Sequence, residues 1–242
     1  MKRTGLLLAA FLLCMGSSLQ AQESEFGLWT SLGVKKSLNK KWAIGAEAEY
    51  RAQDNLKSTD RWSLGISTDY KLTSWLKAEA GYIYMHKRKM SDYTDKGNFV
   101  PAYWQPRHRV FVSFTGTAKL NRFKLSLRER WQWTATKGLS TPKYDGDDLS
   151  ERISDKVVNG HGENVLRSKL QLEYDIQHSG FTPFISVEHY QANKLKKMRY
   201  TIGTEYELSK QHAFKALFIY NDPSSGDEMK GTIVSLGYTL KL

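Results

Sequence analysis

Cysteine is all but missing from this 242-residue chain: Cys14 is the single one, and nothing after it carries a thiol. With the N-terminal segment set aside, disulfides and thiolate metal sites are excluded. Long apolar runs are scarce as well. Beyond residue 21 no window approaches the roughly 20 apolar residues that a membrane-spanning helix needs, and the mean hydropathy is −0.54. Helical periodicity is absent from the same windows. The six histidines (His86, His108, His161, His178, His189, His212) never fall at a spacing that sets a His and a Ser on one strand face. His178-Ser179 sits in a tight turn where the two side chains diverge. An enzyme is therefore not expected. The acidic run Asp145-Gly146-Asp147-Asp148, with Glu151 and Asp155, lacks the ordered ligand spacing of a calcium hand and reads as a solvated loop. Neither a metal nor a cofactor is expected. Lysines and arginines are spread over the chain instead of gathered in one patch, which argues against a nucleic-acid partner.

What is present begins with an export signal. Lys2 and Arg3 precede a short apolar stretch, Leu6 to Met15, and Leu19-Gln20-Ala21 offers a cleavage site before Gln22. Leu13 is too large for the position before a lipidated cysteine. Residues 1–21 are read as a signal peptide and 22–242 as one barrel domain. The net charge of +11 falls to +9 without Lys2 and Arg3. On an exported chain, an anionic envelope is the natural counter-charge.

The rest of the chain alternates with a period of two. Trp42, Ile44, Ala46, Ala48 and Tyr50 share one face; Trp62, Leu64, Ile66 and Tyr70 share another. Further apolar faces are Val110-Val112-Phe114, Phe123-Leu125-Leu127, Leu166-Leu170-Leu172 and, at the C-terminus, Val234-Leu236-Tyr238-Leu240-Leu242. Such alternation makes a half-apolar strand. In a membrane only a closed barrel can use it, because an open sheet leaves backbone groups unpaired in lipid. Aromatic residues bracket the strands, as in Trp42…Tyr50 and Trp62…Tyr70. Eight residues at about 3.3 Å each, tilted about 40°, span on the order of 20 Å, close to an apolar band between aromatic girdles. A soluble lipocalin-like carrier, with its apolar face inward, is the competing arrangement.

Eleven segments can be counted, whereas single-chain bacterial barrels have an even number; either a twelfth strand exists or the first segment is not a wall strand. The fold class expected is an all-β transmembrane antiparallel up-and-down barrel of 10–12 strands. Short turns alternate with longer polar loops at 53–60, 87–105, 136–162, 192–197 and 221–230. Glu129 falls on an apolar face, so a bulge or a place near the interface is expected there. The opposite faces are charged. The lumen-lining candidates are Glu47, Glu49, Arg51, Arg107, Arg109, Arg128, Arg130, Arg167, Lys169, Arg199 and Glu205. They read either as a selectivity lining or as a salt-bridged filling of a narrow lumen.

Several pieces in order resemble a known family. They are Phe26-Gly27-Leu28-Trp29, Lys41-Trp42 leading to Glu47, Glu49, Tyr50 and Arg51, and Ala80-Gly81-Tyr82. Arg107-His108-Arg109, Leu127-Arg128-Glu129-Arg130, Arg199-Tyr200-Thr201-Ile202-Gly203 and Leu236-Gly237-Tyr238 complete the set. Together they resemble the domain-of-unknown-function family 2490 of small bacterial outer-membrane barrels. The resemblance implies an exported barrel with inward arginines and brings no activity with it. The function expected is that of a non-enzymatic outer-membrane barrel, structural or passively permeable in a porin-like way. Lipid-modifying barrel enzyme and periplasmic carrier are the alternatives. The partners expected are outer-membrane lipids, lipopolysaccharide and the barrel-assembly machinery.

Overall fold

The structure, a computed structural model, describes residues 25–192, 196–224 and 229–242; the expected signal peptide lies outside these. The described strands, in chain order, are β1 (Glu25–Ser37), β2 (Trp42–Gln53), β3 (Ser58–Lys71), β4 (Leu76–Lys89), β5 (Asp92–Tyr93), β6 (Phe99–Val100), β7 (Tyr103–Leu120), β8 (Phe123–Thr136), β9 (Leu139–Tyr144), β10 (Arg152–Val158), β11 (His161–Tyr174), β12 (Phe181–Gln191), β13 (Lys196–Glu207), β14 (His212–Pro223) and β15 (Gly231–Lys241). Eleven of them close a barrel in the order β1-β15-β14-β13-β12-β11-β8-β7-β4-β3-β2. The other four form a small sheet, β10-β9-β6-β5.

The alternation read from the sequence sets which way each side chain turns. In β15, Ile233 is fully buried, whereas Leu236 is 50% exposed on the outer wall. Ile66 at 63% makes the same point on β3. Aromatic rings meet across strands at both ends of that outer wall. Trp42 packs on Tyr70 at 4.6 Å and Phe181 on Tyr206 at 4.4 Å near the short turns. Trp62 packs on Tyr84 at 5.6 Å and His86 on Trp104 at 5.1 Å near the other end. An apolar outer wall between two aromatic rings suits lipid and is the reverse of a carrier's arrangement.

The strand count corrects the expectation of an even number. All eleven segments are wall strands, and an odd meander can close only if its first and last strands run the same way. β1 and β15 are parallel, in register from Glu25↔Gly231 to Lys35↔Lys241, while every other barrel neighbour is antiparallel. β1 is hydrogen-bonded on both sides, so it is not a supernumerary segment. Gly231 is essential to the seam: its φ is +142°, and a Cβ there would lie 2.1 Å from the Glu25 carbonyl oxygen. Because Cys14 is the sole native cysteine, the seam can be tested cleanly. Ser31 and Gly237 are register partners, and a Cβ on Gly237 would lie 2.9 Å from Ser31 Oγ. The double variant Ser31→Cys with Gly237→Cys is expected to cross-link on oxidation without losing its folded gel mobility, since cross-strand partners meet disulfide geometry. A folded barrel that never cross-links would contradict the parallel closure.

Connections differ between the two ends. The C-terminus lies at the short-turn end, where Leu242 donates to the Lys35 carbonyl and accepts from Ser37. At the other end, the expected loop 53–60 shrinks to a turn at residues 54–57, closed by Lys57 N donating to Asp54 O at 3.0 Å. Asp54, Asn55 and Leu56 all have positive φ there, 53°, 52° and 69°, a left-handed run that Asp and Asn adopt readily and Leu only at a cost. The loops 87–105 and 136–162 are also not plain loops. β4 and β7 stay paired out to Lys89↔Tyr103, and the chain beyond them supplies the small sheet, joined at Phe99↔Tyr144. On its outer strand Arg152 donates to Asp155, which holds that carboxyl below its usual range.

Glu129 is a further correction. No bulge surrounds it: β8 pairs with β7 and β11 without a register shift, through Phe114↔Glu129 and Ser168↔Glu129. It sits mid-strand on the outer wall, where Ser168 Oγ donates to Glu129 Oε2 at 2.6 Å. That bond offsets part of the cost of a carboxylate facing lipid.

Candidate functional site

Inward side chains of all eleven barrel strands meet in a narrow bore, and three carboxylates, one buried and two half-buried, organise its charge. Glu188 on β12 is the most heavily bonded. Arg128 donates to its Oε1 at 2.6 Å, Arg167 grips both oxygens at 2.9 and 3.0 Å, and Tyr190 Oη donates at 2.8 Å. Arg199 stands 3.7 Å away. Glu79 on β4 accepts from Arg130 at 3.0 Å and from Ser113 at 3.2 Å. Glu49 on β2 takes a two-pronged bond from Arg51 at 2.7 and 2.8 Å, with Arg61 at 3.6 Å. Paired, fork-on-carboxylate contacts of this kind are the strong ones.

Cations also cover the inward aromatic rings. The Arg51 guanidinium lies 3.4 Å from the Trp29 ring, Arg130 lies 4.1 Å from Phe111, and Lys197 lies 4.0 Å from Tyr190. Phe111 itself leans over Gly81, where a Cβ would come within 2.6 Å of its ring edge. The small residue on β4 thus makes room for the ring on β7, which in turn seats the guanidinium on β8.

Two cavities flank this belt. Toward the long-connection end is a chamber of about 270 Å³, and toward the short turns a vestibule of about 660 Å³. Glu47, Glu49, Arg51, Arg107, Arg109, Arg130, Arg167 and Arg199 line the chamber. Arg128, Lys169 and Glu205 line the vestibule. The chamber wall carries nine lysines and arginines against four carboxylates. Arg109 has a neutral partner: its Nε donates to Thr134 Oγ1 at 2.9 Å.

Sequence reasoning missed the centre of the belt. Glu188, Tyr190, Trp29 and Lys197 were not among the candidates. The signal that could have found Glu188 is the set Thr182, Phe184, Ser186, Glu188, Tyr190, one face of β12 facing away from Phe181, Ile185 and Val187. The acidic run in the loop is spent on turns: Asp145 accepts from the backbone of Asp147, and Asp148 from Ser150. Among the described residues no three histidines, aspartates or glutamates converge as a metal site. Ser168 and His189 do face each other across β11 and β12, but the serine proton goes to Glu129, so the pair is not set up as nucleophile and base.

A closed, lipid-facing barrel with a charged bore is the architecture of outer-membrane β-barrels. In agreement, the crystal structure of the β domain of the Bordetella autotransporter BrkA is similar in fold. Its TM-score is 0.54 at 13% identity, over 81% of this chain and 79% of that one. A NanC porin structure aligns over 90% of this chain and 98% of its own, with a TM-score of 0.48 and 14% identity. The chain belongs to the family described as protein of unknown function (DUF2490), matched over residues 26–228. A comparison with curated proteins finds no match.

Proposed function

We propose that this chain is a non-enzymatic barrel of the bacterial outer membrane that passively admits small anions to its lumen, with the longer connections outside the cell. The observation that carries this reading is the excess of nine cationic side chains over four carboxylates around the chamber. A low-dielectric wall focuses that charge along the axis, and basic linings favour anions. Lipopolysaccharide and outer-membrane lipids surround the apolar wall, and the assembly machinery inserts it. The Glu188 belt narrows the route, so unit conductance is expected to be low.

The test is the reversal potential of the purified protein in a planar bilayer across a KCl gradient. Chloride preference is the expected result. Potassium preference, or no channel at all, would sink the passage.

A further inference from the structure

We infer that the chamber is a recognition site for a small hydroxylated anion, a carboxylate or phosphate ester of monosaccharide size, anchored by Arg109. The inference rests on the lumen being open to solutes, as proposed above. Its starting point is a difference between arginines. Arg51 is spent on Glu49, Arg130 on Glu79, and Arg167 on Glu188. Among the described residues no carboxylate pairs with Arg109. Thr134 takes its Nε alone, which leaves the four N–H donors of the two terminal nitrogens. The arginines that act on it most strongly, Arg61, Arg167 and Arg51, carry its own sign, and Tyr190 acts the other way. A guanidinium bonded to one hydroxyl, with three other arginines near it, suits a two-pronged bond to an incoming carboxylate or phosphate.

The rest of the wall says what that anion should carry. Ser63, Gln132, Thr134 and Thr136 are neutral hydrogen-bonding groups buried on the chamber side of their strands. They suit hydroxyls. Aromatic ligands are disfavoured because the faces of Trp29 and Tyr190 are already covered by Arg51 and Lys197. The volume of about 270 Å³ lies just below the usual range of drug-sized ligand sites, so the occupant must be small.

The experiment is calorimetric titration of the folded, detergent-solubilised full chain with D-gluconate, glucose 6-phosphate and glucose. At least one of the two anions should bind about tenfold or more tightly than glucose, and Arg109→Gln should remove about tenfold or more of that affinity. Whichever anion binds better identifies carboxylate or phosphate as the preferred group. Thr134→Val, which frees the guanidinium without removing it, should weaken binding in the same direction by less. Heat-modifiable gel mobility reports that each variant is folded. Equal binding of glucose, no binding of either anion, or an Arg109→Gln variant that binds like the parent would overturn the inference. Chloride preference surviving any of those results would leave the proposed passage standing.

Discussion

Glu188→Gln should lower the folding stability of the barrel by about 3–5 kcal/mol, the usual cost of leaving a buried ion pair half-made. One carboxylate holds Arg128, Arg167, Arg199 and the Tyr190 hydroxyl together. Glutamine keeps the shape and removes the charge, so three guanidinium groups then face one another with no counter-ion between them. Tyr190→Phe removes only one donor and should cost about 1 kcal/mol, which separates loss of charge from loss of a hydrogen bond. Urea unfolding followed by tryptophan fluorescence measures both. The same Glu188→Gln variant should show stronger chloride preference in a bilayer, because the neck gains net positive charge. A variant as stable as the parent would mean that the belt is hydrated and contributes little.

The second large effect is expected from Gly81→Val. A Cβ at Gly81 lies 2.6 Å from the Phe111 ring and 2.7 Å from the Ile66 carbonyl oxygen. The ring can swing aside but the backbone of β3 cannot, so overpacking of about 1–3 kcal/mol is expected. Phe111 also carries the Arg130 guanidinium on its face, and Arg130 is the partner of Glu79. Displacing the ring therefore disturbs that ion pair as well, and Gly81→Val should lower the temperature at which gel mobility changes. Gly81→Ala should do so by less. Gly116, with nothing near its missing Cβ, is the control position: Gly116→Ala should change little.

Much of the wall was legible because one face of each strand is apolar and the other is not. Val234, Leu236, Tyr238 and Leu240 against Ser235, Gly237 and Thr239 give β15 directly, and Trp42 to Tyr50 give β2. β12 was hard to read for a physical reason: Phe184 and Tyr190 turn inward among the charges, so both of its faces carry large rings. The seam was not legible, because strand direction at closure depends on the parity of the whole count and on nothing within β1. The small outer sheet escaped because β5 and β6 are two residues each. Charged rows could be read, but not their partners. Arg109 and Arg167 look alike in sequence, and only the neighbouring strand separates them: β12 brings Glu188 to Arg167, whereas β8 brings Thr134 to Arg109.

The sharpest trial compares neighbours on one strand, Arg109 and Val110. A small anionic methanethiosulfonate, which water carries but lipid does not, should modify the Arg109→Cys variant in membranes and spare Val110→Cys. A lipid-soluble maleimide should do the reverse. If the anionic reagent took position 110 and left 109 untouched, the barrel would be inside out and its cationic bore would not exist.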